Sequence, residues 1–250
     1  MVTGRYADSL HNKRVVITGG ASGIGLATAI RFAQEGSVVT IIDNHEDRLH
    51  STLEEYSAIK HGVVADVSNP DEVGAAFEKI DSLMNGVDVL IANAGISVRA
   101  KFIDITPEQW RKVLGINLDG IFYTAQQAAK RMLSQGHGVI LMTASTNGLV
   151  GHPYYADYNA SKAGVNLLAR TMALELAPTI RVNTVCPGYV LTPMQLAEYT
   201  PEMLEQVNEK IPLKRHAHPE EVAGLYAFLA SAEAAYITGQ HIPIDGGELA

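Results

Sequence analysis

Short runs of β-branched residues alternate with helix-forming stretches along the whole 250-residue chain, and this alternation limits the fold more than any other feature. Predicted strands begin at residues 14, 37, 62, 87, 138, 181 and 239. No linker, composition break or internal repeat divides the chain. The pattern therefore predicts one α/β domain, residues 1–250, in which helices cover both faces of a doubly wound parallel sheet of about seven strands.

Composition excludes several classes of protein. A hydrophobic content of 47% with 18% charged residues is typical of a globular protein with a sizeable core. The net charge of −8, without any block of lysine and arginine, argues against nucleic acid and anionic membranes as partners. Cys186 is the single cysteine and the nine histidines are scattered, so we expect no disulfide within the chain and no metal site. No apolar signal core and no 18-residue apolar run occur, which predicts a cytoplasmic protein.

The first predicted strand runs into a glycine turn. Its glycines follow the spacing Gly19-x-x-x-Gly23-x-Gly25, and a helical pattern extends over residues 24–34. Missing side chains let a pyrophosphate approach the backbone, and amides at a helix N-terminus face the anion. The turn predicts a phosphate cradle, although a lone glycine turn is often only a tight connection between elements.

A carboxylate ends the next predicted strand. Asp43 lies about twenty residues after the glycine turn, where a carboxylate accepts hydrogen bonds from both hydroxyls of an adenosine ribose. Its charge would repel a 2′-phosphate, so Asp43 favours NAD over NADP as cofactor. Arg48 is the nearby residue that argues for NADP, and Asp43 as an N-cap of the following segment is the structural alternative.

Other strand ends carry polar or small residues at the same predicted edge of the sheet. Asp66 and Val67 suit the edge and face of an adenine ring. Asn93-Ala94-Gly95 allows a flat ligand to lie against the backbone, although turn chemistry alone is an alternative explanation. Ser145 ends the fifth predicted strand, and ligands of such sheets bind beyond the carboxyl ends of the strands.

Tyr158 and Lys162 are four residues apart near the start of a predicted helix, so their side chains share one face. A phenol with a pKa of about 10 is a poor acid or base at neutral pH, and a nearby cation would lower that pKa. Such a pair also arises by chance, which leaves a helix-start tyrosine with a solvated lysine as the alternative. Asn117 falls within a long predicted helix from Pro107 to about Leu133, where position alone favours a hydrogen-bonded core amide.

Taken in order, these residues resemble the pattern of the short-chain dehydrogenase/reductase family over nearly the whole chain. The matching motifs are Thr18-Gly19-xxx-Gly23-x-Gly25, Asp66, Asn93-Ala94-Gly95, Asn117, Ser145, Tyr158-xxx-Lys162, Pro187-Gly188 and Asp245-Gly246-Gly247. Ala92 departs from the pattern, because the family often has a second asparagine there. The resemblance implies a Rossmann-type domain and usually a homotetramer (or homodimer) built through the long helices and the C-terminal strand.

The resemblance also implies a role for each site residue. Tyr158 would be the general acid/base, and Lys162 would hold the nicotinamide ribose and lower the tyrosine pKa. Ser145 would bond the substrate oxygen, and Asn117 would hold a water in a proton relay. The residues expected to bind NAD are Gly19, Ser22, Gly23, Ile24, Gly25, Asp43, Asp66, Val67, Asn93, Ala94, Gly95, Tyr158, Lys162, Pro187, Gly188, Val190 and Thr192.

The substrate is predicted from position around this site. Residues 188–213, the least regular long segment, are expected to form a substrate-binding lid. The predicted substrate residues are Ser145, Asn147, His152, Tyr155, Tyr158 and Tyr189, with Ser97, Leu149, Met194 and Leu196 as further candidates around the pocket. This mixture of polar and apolar groups favours a small hydroxylated compound such as a polyol or sugar derivative. For His152 an exposed position on a loop surface is the alternative.

Three functions are consistent with the sequence. The first is an NAD-dependent dehydrogenase for a secondary alcohol or polyol. The second is an NADPH-dependent ketone or 3-oxoacyl-carrier reductase, for which Arg99 and Lys101 would have to supply a basic entrance. The third, a dinucleotide-sensing protein without catalysis, is disfavoured because Ser145, Tyr158 and Lys162 are all present.

Overall fold

A computed structural model describes residues 5–250 and contains a seven-stranded sheet, so residues 1–4 of the predicted domain lie outside the described part. All neighbouring strands are parallel, in the order third-second-first-fourth-fifth-sixth-seventh along the chain. The order reverses at the first strand, which lies between the second and the fourth, and this is where a doubly wound sheet opens a crevice. The strands are β1 (Arg14–Thr18), β2 (Val38–Asp43), β3 (His61–Val64), β4 (Val89–Ala92), β5 (Gly138–Thr143), β6 (Ile180–Pro187) and β7 (His241–Ile244).

Helices connect the strands and cover both faces of the sheet, which confirms the predicted α/β fold. The helices are α1 (Ala7–Leu10), α2 (Gly23–Gln34), α3 (Glu46–Glu55), α4 (Pro70–Met84), α5 (Pro107–Leu114), α6 (Gly120–Gln135), α7 (Ala156–Leu176), α8 (Pro193–Glu198), α9 (Pro201–Lys210) and α10 (Pro219–Ala230). No described helix has the length and apolar composition needed to cross a membrane.

Two apolar cores follow from the alternation of side chains along each strand. Val16 of β1 points to one face and packs with Phe77 of α4 and Ile121 of α6. Its neighbour Ile17 points to the other face and packs with Phe32 of α2 and other buried side chains. Because both faces of the central strands are buried, β1 and β4 are mostly apolar along their length, with residues 15–17 and Val89–Ala92 as continuous apolar runs.

The predicted long helix from Pro107 is interrupted. Thr106 caps α5 through its hydroxyl, which accepts a hydrogen bond from the Gln109 amide, and a π-helical turn over Gly115–Asp119 then joins α5 to α6. Asn117 lies in this wide turn and is fully buried. An asparagine side chain competes for backbone hydrogen bonds in a regular helix. The π-helical interruption is therefore a more favourable position for Asn117 than the middle of a regular helix.

Two sequence predictions about regularity are wrong. The third strand ends at Val64, so Asp66 and Val67 follow the strand instead of belonging to it. The segment 188–213, expected to be irregular, contains α8 and α9. Each begins at a Thr-Pro pair, in which the threonine hydroxyl caps the helix and proline stands at the first helical position.

Candidate active site

A cavity of about 280 Å³ lies along the C-terminal ends of β1, β2, β4 and β5, and it is called the larger cavity because it exceeds the pocket of about 70 Å³ that adjoins it. Most of the predicted cofactor residues line it together. Its lining comprises Gly19, Ser22, Gly23, Ile24, Ile42, Asp43, Asn44, Arg48, Ala65, Asp66, Val67, Asn93, Ala94, Gly95, Ile96, Ile116, Thr143, Tyr158, Lys162, Thr192, Pro193 and Met194.

The glycine turn shapes one wall of the larger cavity by bringing backbone into close contact. Gly23 has a φ of +53°, a conformation that L side chains rarely adopt. At Gly25 a Cβ atom would lie 2.1 Å from the carbonyl oxygen of Gly19, so only glycine allows α2 to approach the turn this closely. The amides at the N-terminus of α2 therefore border the cavity, as a dinucleotide pyrophosphate requires.

Asp43 is buried at the end of β2 and each of its carboxylate oxygens accepts one backbone hydrogen bond. Oδ1 accepts from the His45 amide at 3.1 Å and Oδ2 from the Ala21 amide at 3.2 Å. The capping position of α3 is His45, so the alternative of Asp43 as helix cap is wrong. Arg48, an exposed residue of α3, lines the same cavity.

A hydrogen-bonded network fixes the floor of the larger cavity. The Thr18 hydroxyl accepts bonds from the amides of Asn93 and Ala94, at 2.9 and 3.0 Å. Asn93 donates its side-chain amide to the Thr18 carbonyl and accepts a bond from the Thr143 hydroxyl at 3.1 Å. Thr143 also bonds the buried Tyr226 hydroxyl at 2.6 Å. Asn93 is thus a structural tie between β1, β4 and β5, beyond the turn chemistry expected from sequence.

A second pocket of about 70 Å³, here the smaller pocket, adjoins the larger cavity and is lined mainly by polar side chains. All six predicted substrate residues line it, as do Ser97 and Met194. Its lining comprises Ser97, Ser145, Thr146, Asn147, His152, Tyr155, Tyr158, Gly188, Tyr189, Met194, Gln195, Glu198 and Tyr199.

Tyr158 stands where the two cavities meet, because it lines both. It lies in the first turn of α7, and its ring packs against that of Tyr155 with centroids 6.3 Å apart. The pKa of Tyr158 is raised to about 12, because burial and, less strongly, the negative charge of Glu198 raise it while a hydrogen bond with Ser145 lowers it. Lys162 is not among the causes of this shift, so its expected lowering of the tyrosine pKa stays a prediction.

Lys162 is buried one helical turn after Tyr158, and its ammonium donates a hydrogen bond to the Thr143 carbonyl at 2.7 Å. Its Nζ lies 5.5 Å from the centroid of the Tyr158 ring. Burial lowers the pKa of Lys162 to about 8, so the side chain is still mostly charged at pH 7. The alternative of a solvated lysine is wrong.

Asn117 and Ser145 hold backbone segments around Tyr158. The Asn117 side chain accepts a bond from the Ile96 amide at 2.8 Å and donates to the Ile96 carbonyl at 2.9 Å. It also donates to the Ser161 hydroxyl on α7 at 3.2 Å. Ser145 donates weakly to Asn147 and to the Pro187 carbonyl, at 3.3 and 3.4 Å. The π-helical turn and α7 are therefore joined beside the larger cavity.

Some predicted residues lie outside the cavity to which the sequence assigned them. Gly188 lines the smaller pocket instead of the larger cavity, and Val190 is buried in a bridge with Ala217. His152 lies on a loop, but it lines the smaller pocket and its side chain is 19% exposed, so the alternative of an exposed surface position is wrong. The predicted residues that line neither cavity are Gly25, Asn117, Leu149, Pro187, Val190 and Leu196.

In the smaller pocket, sequence reasoning missed Thr146 and three residues that lie together on or beside α8, which are Gln195, Glu198 and Tyr199. Gln195 and Glu198 lie three residues apart on α8, and Tyr199 ends that helix, so they share a face toward the pocket. The signal that would have found them is the Thr192-Pro193 pair, which has the same cap-and-proline pattern as the start of α5.

Comparison with known proteins agrees with this geometry. Residues 19–248 match the family model adh_short_C2, described as enoyl-(acyl carrier protein) reductase. The chain is 42% identical to the 3-oxoacyl-(acyl-carrier-protein) reductase of Thermotoga maritima, with 95% of this chain and 98% of that protein aligned. It is 35% identical to the glucose 1-dehydrogenase of Gluconobacter oxydans, over 97% and 94% of the two chains.

A solved structure shares the whole fold. A short-chain type dehydrogenase/reductase from Mycobacterium marinum superposes with a TM-score of 0.91 at 37% identity, covering 96% of this chain and 97% of the other. The glycine turn and the larger cavity fit a dinucleotide. The chain therefore belongs to the short-chain dehydrogenase/reductase family, oxidoreductases that act on alcohols and ketones with a nicotinamide cofactor.

Proposed function

We propose that this oxidoreductase transfers a hydride between NAD(H) and a small hydroxylated secondary alcohol or its ketone, with Tyr158 as the acid/base. The observation that carries this proposal is the position of Tyr158, which is the tyrosine common to the larger cavity and the smaller pocket. A group that exchanges a proton with the substrate oxygen must face the substrate and the cofactor together. When bound, the nicotinamide supplies or accepts the hydride.

The neighbours of Tyr158 suit proton transfer to a carbonyl. With a pKa of about 12, Tyr158 keeps its proton at neutral pH and can donate it to the oxygen of a ketone. Ser145 lines the same pocket and would hydrogen-bond that oxygen. Alcohol oxidation requires Tyr158 to give up its proton first, so we expect the oxidation rate to rise with pH above neutrality. Lys162 supplies the fixed positive charge of the site.

We assign Asn117 to positioning. Its side chain ties the Ile96 backbone, which lines the larger cavity, to the helix that carries Tyr158 and Lys162. A role in a proton relay, which the family resemblance implies, is part of the same proposal. Residues 188–213 would close over the substrate, since Tyr189 and α8 supply one wall of the smaller pocket.

Asp43 supports NAD over NADP. Asp43 lines the larger cavity and each of its oxygens accepts one backbone hydrogen bond, which leaves lone pairs for both ribose hydroxyls. A 2′-phosphate at the same place would meet the carboxylate charge. Arg48 is the residue on which NADP binding would depend, because it lines the same cavity.

Calorimetric titration with NADH and NADPH tests this assignment. We expect the wild type to bind NADH at least about tenfold more tightly, and Asp43→Ala to lose roughly 10- to 100-fold of that affinity, because a hydrogen bond to a charged group contributes about 1.5–3 kcal/mol. Arg48→Ala serves as the control and should leave NADH binding unchanged. Tighter binding of NADPH, abolished in Arg48→Ala, would show that NADP is the cofactor.

A 3-oxoacyl-carrier reductase is the second candidate, favoured by the 42% identity to the Thermotoga maritima enzyme. The small volume and the carboxylate of Glu198 in the smaller pocket favour a small hydroxylated compound instead. Reduction of an acetoacetyl thioester with NADPH, faster than oxidation of any small diol with NAD, would establish the second candidate.

We also propose a homotetramer in the cytoplasm. Apolar residues are exposed on the two long helices, including Leu167 (65% exposed), Leu174 (84%) and Phe122 (41%), which supports an interface through α6 and α7. Light scattering coupled to size-exclusion chromatography should give four times the 26.9 kDa chain mass. Leu174→Glu should reduce that mass, whereas a monomeric wild type would contradict the proposal.

A further inference from the structure

The smaller pocket contains polar atoms that the protein itself does not satisfy. Among the described residues, five carry a buried side-chain nitrogen or oxygen without a hydrogen-bond partner. Three of the five line this pocket, and the unpartnered atoms are His152 Nε2, Gln195 Nε2 and Glu198 Oε1. Leaving a buried polar group unpaired costs about 1–3 kcal/mol, so their concentration in one pocket points to ligand groups that complete them.

The polar end of the pocket is acidic. Glu198 accepts a hydrogen bond from the Tyr155 hydroxyl through Oε2 at 3.0 Å, while its Oε1 has no partner. A second carboxylate, Glu248, lies behind the wall with Oε1 3.6 Å from His152 Nε2. Burial lowers the pKa of His152, which keeps the imidazole neutral at pH 7.

No positive charge in the described lining balances these carboxylates. The smaller pocket contains no lysine or arginine among residues 5–250. Arg99 lies outside the lining and over the rings of Tyr154 and Tyr199, at 4.7 and 5.9 Å from their centroids. A carboxylate or phosphate bound in the pocket would therefore face Glu198 without a lysine or arginine of the lining to pair with.

We propose that Glu198, assisted by Gln195 and His152, selects substrates that carry a second hydroxyl and no negative charge. A carboxylate only accepts hydrogen bonds, so Glu198 Oε1 binds a hydroxyl that donates to it. Gln195 Nε2 donates to the oxygen of the same or a neighbouring hydroxyl. This inference rests on the proposed dehydrogenase function and names the substrate class of that site: uncharged vicinal diols and larger polyols.

Glu198 is also connected to the reacting group. The Tyr155 hydroxyl bonds Glu198, and the Tyr155 ring packs on that of Tyr158. The charge of Glu198 raises the pKa of Tyr158, so removing the charge should lower it. The pH at which the oxidation rate rises would then move downward in a Glu198→Gln variant. A residue that only supported the fold would not produce this shift.

The test compares three four-carbon substrates with NAD: butane-2,3-diol, butan-2-ol and 3-hydroxybutyrate. In the wild type we expect kcat/KM for the diol to exceed that for the other two by at least about tenfold, the value of one good hydrogen bond. Glu198→Gln should raise the ratio of 3-hydroxybutyrate to diol by about tenfold and move the pH profile down. Glu205→Gln, on the exposed surface of α9, is the matched control and should change neither.

The outcomes separate the two proposals. Equal rates with the diol and butan-2-ol, or a faster reaction of 3-hydroxybutyrate in the wild type, would overturn the role of Glu198 while dehydrogenase activity stands. Unchanged substrate ratios in Glu198→Gln would overturn it as well. If the protein binds NADH but oxidises none of the three substrates and reduces none of their ketones, the proposed function itself fails.

Discussion

The two ends of the same strands differ in how their polar side chains are satisfied. At the N-terminal ends, Arg14 of β1 pairs with Asp88, which precedes β4, through contacts of 2.6 and 2.9 Å. His137, which precedes β5, bonds the same carboxylate at 2.9 Å. At the C-terminal ends, by contrast, the smaller pocket leaves buried atoms of Gln195 and Glu198 unpartnered.

The difference separates stability from function within one sheet. Charges that satisfy one another lower the free energy of the folded chain and have no capacity left for a ligand. Buried polar groups without a hydrogen-bond partner raise the free energy of the folded protein until a ligand pairs with them. They are retained where ligand binding requires them. Substitutions at the N-terminal end should therefore change stability without changing rate, and substitutions around Tyr158 should do the opposite.

The largest effect is expected from Tyr158→Phe. Loss of the acid/base should lower kcat by roughly 10²- to 10⁴-fold, while the melting temperature and the NADH dissociation constant stay nearly constant. Steady-state kinetics and calorimetry measure the two quantities. Tyr154→Phe is the control, because the Tyr154 side chain is exposed on the surface. A Tyr158→Phe variant with activity within tenfold of the wild type would contradict the assignment of catalysis to Tyr158 at the C-terminal end of the sheet.

Gly25→Ala should act on cofactor binding. The added Cβ meets the Gly19 carbonyl oxygen at 2.1 Å, so the glycine turn must shift away from α2. Overpacking of this kind costs about 1–3 kcal/mol, which corresponds to a loss of roughly 10- to 100-fold in NADH affinity. Gly74→Ala on α4 is the matched control, since nothing lies within 4 Å of its Cβ position. Equal NADH affinity in both variants would contradict the role of the glycine turn as the phosphate-binding site.

Asp88→Asn tests the other end of the sheet. Hydrogen bonds from Arg14 and His137 hold the pKa of Asp88 at about 2, below its ordinary value of 3.8, although burial opposes them. Because the folded-state pKa is depressed, the stabilisation is fully present above pH 3.8 and is lost as the pH falls from 3.8 toward 2. Urea unfolding should show a loss of about 2 kcal/mol at pH 7 and a smaller one near pH 3, with kcat unchanged.

The matched control for Asp88→Asn is Glu108→Gln. Glu108 and Arg111 form an ion pair at 4.0 Å in which both side chains are mostly exposed. Exposed pairs contribute about 0–1 kcal/mol, so this variant should unfold like the wild type. A reduced kcat in Asp88→Asn would mean that the two ends of the sheet are coupled.

The smallest effect is expected from Tyr226→Phe, at the functional end but below the pocket. The variant removes one hydrogen bond to Thr143, which retains its bond to Asn93. We expect a loss of about 1 kcal/mol in the free energy of unfolding and a change of less than about twofold in kcat. A tenfold drop in kcat would show that the network below the larger cavity controls catalysis directly.

Much of the fold and of the larger cavity was predictable from sequence because backbone conformation builds them. The glycine turn needs glycine for steric reasons, and Asp43 is the last residue of a recognisable strand, so both positions follow from local pattern. The smaller pocket was predictable only in part. His152 and Tyr155 were found from their place near Tyr158, but the hydrogen bonds of the Tyr155 hydroxyl depend on α8 and the residue that follows it.

The rest depended on tertiary packing. Glu198 comes from a short helix that sequence reasoning treated as irregular, and its effect on Tyr158 arises only when that helix lies across the pocket. The pKa of Tyr158 is raised mainly by burial, and burial cannot be read from the four-residue spacing between Tyr158 and Lys162. The Asn117 contacts likewise require the π-helical turn, which no sequence signal indicated.

That turn has a consequence for how the chain tolerates length changes. A regular helix advances about 100° per residue, so the extra residue of the π-helical turn sets the rotational phase of α6 relative to α5. Deleting Leu118 would restore an uninterrupted helix and improve local regularity. The same deletion would swing one helix about its axis and carry the Asn117 amide away from Ile96. The irregular turn is therefore needed at this position: its removal would make the helix regular and would break the Asn117 hydrogen bonds that hold the Ile96 backbone beside the larger cavity.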